Sequence, residues 1–184
     1  EIKELSGVRL VTTQPGAVNV EDMDFHYKLT LVSNIVRTLS SVLRGFQAGK
    51  IVSLKGPTAG SKTTLGVFLA HLMGLEYYIY STHAESKSSD LTLGLRRTPE
   101  GAYKLEVREF LKRVEKGNQV IIIDEANIKP EVLWVLNGIG RGEKEISVEL
   151  PGKKPYTVDI GENVFILFTM NPEESYASRE EIPQ

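Results

Sequence analysis

The stretch Gly56-Pro57-Thr58-Ala59-Gly60-Ser61-Lys62-Thr63 follows an apolar run, Ile51 to Leu54, and opens an apolar-periodic run, Leu65 to Met73. This order of strand, glycine-containing loop and helix constrains the fold more than any other feature, because it puts a helix N-terminus at the end of a strand. Backbone N–H groups of such a loop and of the first helical turn carry partial positive charge, which suits a phosphate. Lys62 adds an ammonium for outer phosphates, and Thr63 adds a hydroxyl for Mg²⁺. The expected nucleotide contacts are therefore Gly56, Pro57, Thr58, Ala59, Gly60, Ser61, Lys62, Thr63 and, completing the turn, Thr64.

The usual pattern of a nucleotide-binding P-loop has glycine directly before the lysine, whereas Ser61 stands there and Gly60 comes one place early. Two backbones are open to this loop. If it keeps the usual path, Ser61 takes φ > 0 at a cost of about 1–2 kcal/mol. If the turn shifts onto Gly60, that cost disappears and the cradle changes shape. The reading without a ligand is an ordinary Gly-rich turn between strand and helix.

With 184 residues, the chain has the size of one ordinary domain. The expected division is an extended leader over residues 1–26, rich in Gly, Pro, Thr and acids, and an α/β core over 27–184. Net charge is −2 and pI is near 6.0, so the charge balance gives no argument for nucleic acid as the main partner. The absence of cysteine removes disulfides and thiolate metal sites. No apolar run approaches the roughly 20 residues needed to span a bilayer, and no signal-peptide order opens the chain. The expectation is a soluble, intracellular and most simply cytoplasmic protein.

From Tyr27 to Gln47, the spacing of Val32, Ile35, Val36, Leu39 and Leu43 predicts a helix with one apolar face. Leu65, Phe68, Leu69 and Leu72 predict a second helix, which Gly74 ends. Leu75 to Tyr80 reads as a buried strand. A polar stretch, Ser81 to Asp90, leads to Leu91-Thr92-Leu93-Gly94 and a turn at Thr98-Pro99-Glu100-Gly101. Val107, Phe110, Leu111 and Val114 repeat the helical spacing up to Gly117. Val120 to Ile123 is an all-apolar run of the kind buried on both faces of a parallel sheet. Behind it, Pro130 starts a helix burying Val132, Val135, Leu136 and Ile139. Alternation over 146–150 and 156–160 around Pro151-Gly152 predicts a hairpin, and Val164 to Phe168 a fourth strand. Strands alternating with helices imply an α/β fold, a parallel sheet covered on both faces, with ligands at the carboxyl ends of its strands.

Two of those strand ends carry chemistry beside the loop. The third strand delivers Asp124 and Glu125 to the sheet edge, where one carboxylate suits Mg²⁺ and the other an attacking water. The fourth ends at Asn171, whose amide suits a water or a terminal phosphate. Taken singly, Asp-Glu reads as a solvated loop and Asn-Pro as a turn; their convergence on one edge is what points to a site.

These residues resemble the dynein-related, midasin and MoxR branch of the AAA+ ATPases. The likeness rests on Gly-Pro-Thr-x-x-x-Lys-Thr, on Asp124-Glu125-Ala126-Asn127 with Pro130-Glu131-Val132-Leu133 behind it, on the hairpin, and on Phe168-Thr169-Met170-Asn171-Pro172. It covers about residues 28–184, and Tyr176 to Pro183 is similar to the stretch that follows sensor 1 in dynein-type modules. The resemblance implies a P-loop NTPase with Lys62 and Thr63 in Walker A, Asp124 and Glu125 in Walker B, and Asn171 as sensor 1. It also implies ATP or ADP with Mg²⁺, a hexameric or pseudo-hexameric ring of AAA+ modules, and ATP-driven remodelling of a macromolecular partner. Metal ligation falls to Thr63 and Asp124, and catalysis to Glu125 and Asn171. The family's arginine finger and helical lid would lie beyond Gln184, and Arg179 comes too early to be the finger, so the expectation is either a piece of a longer chain or a module whose site partners complete.

Other features read more plainly. His26, His71 and His83 lack metal-ligand spacing. Trp134 reads as a core or subunit contact, Arg96-Arg97 as a solvated loop, and Lys153-Lys154 as an exposed hairpin tip. Two further readings remain open at this point: a non-catalytic AAA+ module in a larger ring, which Ser61 favours, and a P-loop small-molecule kinase, for which the chain shows no acceptor pocket or lid.

Overall fold

The structure is a computed structural model and describes residues 2–5, 8–14, 17–21, 29–49, 51–57, 61–150, 152 and 154–172. It opens with four strands, β1 (Ile2–Leu5), β2 (Val8–Gln14), β3 (Ala17–Glu21) and β4 (Leu29–Val32), paired in sequence order as an antiparallel meander. Extended backbone was expected over most of this region, but its pairing was not. The helix expected from Tyr27 begins only at Ser33, as α1 (Ser33–Gly49). Leu29-Thr30-Leu31-Val32 is instead paired with β3, because a run of β-branched and aliphatic residues with a partner strand overrides weak helical spacing.

Next come β5 (Ile51–Lys55), α2 (Lys62–Leu72), β6 (Glu76–Ser81), α3 (Ser88–Leu91), β7 (Leu93–Arg97), β8 (Tyr103–Val107), α4 (Glu109–Lys116) and β9 (Gln119–Asp124). A 3-10 helix (Pro130–Leu136), α5 (Asn137–Gly140), β10 (Glu145–Val148), β11 (Tyr156–Asp159) and β12 (Val164–Met170) complete the described chain. The central sheet is parallel throughout, in the order β5-β12-β9-β6. Both middle strands, β9 and β12, are apolar runs because both of their faces are covered.

Alternation along those strands divides the core. Val120, Ile122 and Leu167 point to the layer of α1 and α2, where they meet Val42, Phe46, Val67 and Leu69. Ile121, Ile123, Val164 and Ile166 point to the opposite layer, where they meet Phe110, Leu111, Val114, Val132, Leu136 and Ile139. All of these side chains are at most 2 % exposed, and burying each contributes about 1.5–3 kcal/mol. Gly66 lets α2 lie close on the sheet, since a Cβ there would stand 2.7 Å from Leu167 Cδ2 and 2.8 Å from Ile122 Cδ1. Close seating of α2 fixes where its N-terminus meets the sheet edge.

The α/β class and the double-covered parallel sheet are as expected, and the β10–β11 hairpin is antiparallel as read from its alternation. Four details differ. On α1 the buried residues are Leu39, Val42 and Phe46, with Phe46 against Phe165 at a 5.0 Å ring separation, while Val36 is 46 % exposed. Ile35 and Leu43 of the expected face pack against the same cluster, which Phe46, the largest apolar side chain of the helix, extends toward its C-terminal end. Strand β6 is only partly buried, since it lies at the sheet edge with one neighbour. Pro130 opens a 3-10 helix rather than an α-helix. Leu93-Gly94 and the expected turn at Thr98 to Gly101 belong to an antiparallel hairpin, β7–β8.

Candidate functional site

In the strand order β5-β12-β9, three consecutive carboxyl ends carry the loop, Asn171 and the two acids side by side. Backbone bonds hold the row together: Gly56 N–H donates to Met170 O (3.2 Å), Ala126 N–H to Thr169 O (3.0 Å) and Thr82 N–H to Asp124 O (2.9 Å). Side chains leaving these ends are therefore forced into one another's reach.

The Lys62 ammonium donates to Gly56 O at 3.0 Å, to Pro57 O at 2.8 Å and to Asn171 Oδ1 at 2.8 Å. From its other end, Asn171 donates through Nδ2 to Glu125 Oε1 at 2.6 Å. A single buried amide, 5 % exposed, thus links the cation of the loop to the carboxylate after β9. Charge-assisted bonds of this kind are stronger than neutral ones, so the amide is held by both neighbours in one orientation.

Asp124 is the second hub. Thr63 Oγ1 donates to its Oδ2 at 3.0 Å, Glu125 N–H donates to Oδ1 at 3.1 Å, and the hydroxyl of Thr169 also donates to Oδ1. Thr169 is fully buried next to the end of an otherwise apolar strand. Its role was missed in the sequence, although a lone hydroxyl in such a run is itself a signal. Asn127 was likewise unassigned; its Nδ2 donates to Asn171 O at 3.4 Å.

Two residues of the site have left-handed backbones. Ser61, the residue before α2, has φ 53° and ψ 23°, and its hydroxyl makes no cap bond, while its carbonyl accepts the first helical bond from Leu65 N–H at 2.8 Å. The first of the two loop backbones open to the sequence is thus the one at Ser61. Glu125 has φ 57°. For residues with a Cβ this conformation costs about 1–2 kcal/mol each.

The donor set fits Mg²⁺. A threonine hydroxyl and an aspartate carboxylate 3.0 Å apart are hard oxygen ligands. Among the described residues no group of three or more His, Cys, Asp or Glu forms a metal cage. Mg²⁺ commonly takes one or two protein oxygens and completes its shell with water and phosphate. The first N–H groups of α2 lack intrahelical acceptors, as at any helix start, and add fixed positive potential.

Lys62, Thr63, Asp124, Glu125 and Asn171 are therefore brought together, with Gly56 and Pro57 contributing carbonyl oxygens. Thr64 is half-buried in the first turn of α2. Thr58, Ala59 and Gly60 lie outside the described residues, as do His26, Lys153 and the stretch 176–183. Trp134 is 72 % exposed and so is not a core residue, and Arg96 and Arg97 lie on β7 rather than in a loop. Among the described residues no helix is long and apolar enough to cross a membrane.

Comparison with known proteins matches residues 51–184 to the family model described as AAA domain, dynein-related subfamily. A mitochondrial Lon protease homologue of Neurospora crassa is 34 % identical over 128 residues, covering 68 % of this chain and 10 % of that protein. One from Schizosaccharomyces pombe is 36 % identical over 111 residues, covering 59 % of this chain and 10 % of the relative. The chain thus spans about a tenth of the length of these relatives. A crystal structure of an ATPase candidate from Cytophaga hutchinsonii superposes with a TM-score of 0.52 at 19 % identity, covering 80 % of this chain and 42 % of that one. At that identity the likeness concerns the fold.

Proposed function

Since the chain belongs to the dynein-related subfamily of AAA domains, we propose that it binds ATP or ADP with Mg²⁺ at this sheet edge and, assembled in a ring with neighbouring AAA+ modules, hydrolyses ATP to remodel a macromolecular partner. The observation that carries this reading is the pair of linked hubs, Lys62–Asn171–Glu125 and Thr63–Asp124, at three adjacent strand ends.

Each residue then has a physical task. Lys62 is a compact cation at the mouth of the loop, placed to neutralise phosphate oxygens. Thr63 and Asp124 hold Mg²⁺, which when bound neutralises phosphate charge and orients the phosphates for in-line attack. Glu125 takes a proton from the attacking water as its oxygen bonds to the terminal phosphorus and the bond to the ADP oxygen breaks. Asn171 fixes the Glu125 carboxylate and, through its oxygen, the Lys62 ammonium. Thr169 keeps the Asp124 carboxylate turned toward Thr63.

One observation favours a second reading, a non-catalytic module: a serine at φ 53° in the phosphate loop is an avoidable strain. The linked Glu125 opposes it, because a binding-only site does not need a base for water. Glu125→Gln separates the two. In the assembled protein it should leave nucleotide binding nearly intact and reduce turnover by about 10²-fold or more. Equal turnover in variant and parent would leave the non-catalytic reading standing.

A further inference from the structure

The β7–β8 hairpin is incomplete in three respects. It is a two-stranded sheet, so each strand has one edge without a ladder partner among the described residues. An isolated pair of this kind is marginal unless something packs on it. Next, three of the six large hydrophobic side chains exposed among the described residues sit on it: Leu95 at 69 %, Tyr103 at 71 % and Leu105 at 38 %. The register sets Leu95 opposite Leu105 and Arg97 opposite Tyr103, on one face. Lastly, Arg96 lies directly opposite Lys104 on the other face, a like-charge pair that destabilises a strand pair by itself.

A cavity of about 720 Å³ runs along β8, where residues 104–107 line it consecutively. Arg96, Arg97, Lys104 and Lys112 face it against one carboxylate, Glu106. Arg96 and Arg108 already share that carboxylate, each at 3.7 Å. Arg97, Lys104 and Lys112 consequently have no carboxylate partner among the described residues. The whole chain has 22 basic and 24 acidic residues, so this concentration of cations is local.

We propose that the hairpin is a docking site for an extended acidic polypeptide segment, which adds as a third strand along the open edge of β8. Its carboxylates meet Lys104 and Lys112, and its alternate apolar side chains, on the opposite face, pack over Tyr103 and Leu105 beside Leu95. A polypeptide fits better than a nucleic acid, because the edge offers N–H and C=O groups in strand spacing and the apolar residues recur with a period of two. The site is separate from the nucleotide site, and docking requires no nucleotide.

Fluorescence anisotropy on the full chain, with a labelled ten-residue peptide alternating Glu and Val, tests the assignment. Saturable binding is expected, weakened about tenfold or more by the double variant Lys104→Glu/Lys112→Glu and by high salt. A Lys-Val peptide should not bind. A Glu-Val peptide N-methylated at alternate residues, which keeps the charge but removes one edge of donors, should also fail; this arm uses the parent protein and is independent of how the variant folds. The proposal is overturned by no binding of the Glu-Val peptide up to about 1 mM, by equal binding of the Lys-Val or N-methylated peptide, by an unaffected double variant, or by oligothymidylate binding more tightly than the peptide.

Discussion

Both ends of the parallel sheet use positive φ, for different purposes. At the amino-terminal end, the positive-φ positions are Gly74 (φ 67°), Gly117 (φ 72°), Asn118 (φ 53°) and Asn163 (φ 54°). At the carboxyl end they are Ser61 and Glu125. Glycine and asparagine adopt φ > 0 readily, and here they are also well bonded: Asn163 Nδ2 donates to Asn118 Oδ1 at 2.9 Å, and Asn118 N–H to Glu162 O at 2.7 Å. Nearby, Glu76 accepts from Lys116 and Gln119, bonds that hold its carboxyl below the ordinary carboxylate value and tie β6 to α4 and β9. Serine and glutamate have no such ease, and the chain retains them where Lys62, Asp124 and Asn171 converge. One end is chosen for conformational economy. The other retains backbone strain next to the side chains of the proposed nucleotide site, the pattern expected when side-chain chemistry rather than stability selects the residue.

This contrast is most exposed to test at Gly117. A Cβ there would stand 2.7 Å from Glu162 O, and φ is positive. Gly117→Ala should destabilise the fold by about 2–3 kcal/mol, seen as a fall in melting temperature of about 4–10 °C, without a change in nucleotide affinity per folded molecule. If melting is unaffected, the amino-terminal end is not the tightly specified structural edge described.

A smaller effect, of opposite sign, is expected at the other end. Ser61→Gly should relieve the loop and tighten nucleotide binding by up to about 10-fold if the strain is borne mainly by the bound state. Asn118→Gly, with the same backbone change, should bring no gain, because it deletes the bond to Asn163. Paired titrations and melts of the two variants check this. If Ser61→Gly is neutral, or if Asn118→Gly stabilises equally, left-handed serine and asparagine are equivalent in this protein and the contrast between the two ends disappears.

Much of this was legible in the chain. The apolar runs at 51–54, 120–123 and 164–168 gave three neighbouring strands, since a strand buried on both faces has a composition with few other uses. The acids and Asn171 were legible because polar residues follow those runs directly. Strand order was not legible, and it is the order β5-β12-β9 that turns three separate signals into hydrogen bonds. Thr169 and the left-handed Glu125 were missed for a related reason: both depend on which strand lies next to β9. Of the β7–β8 pair only the turn at Thr98 to Gly101 was legible, because Gly94 interrupts the alternation, and a Cβ at Gly94 would stand 2.4 Å from an Arg108 guanidinium nitrogen, a contact between residues fourteen positions apart. On α1, periodicity found the helix and, through Ile35, Leu39 and Leu43, most of its face, but it included Val36 in place of Val42, since the two are chemically equal and only tertiary packing separates them.

The central claim is that the carboxyl end of the sheet is a nucleotide site built around Lys62. Calorimetric titration of the parent chain and of Lys62→Ala with Mg-ATP and Mg-ADP tests it most directly. The account predicts saturable heat for the parent and none for the variant, with the variant still folded without nucleotide and melting lower by about 2–6 °C, because Lys62→Ala gives up the ammonium's bonds to Gly56 O, Pro57 O and Asn171 Oδ1. No heat from the parent at millimolar nucleotide, or equal affinity in parent and variant, would contradict it.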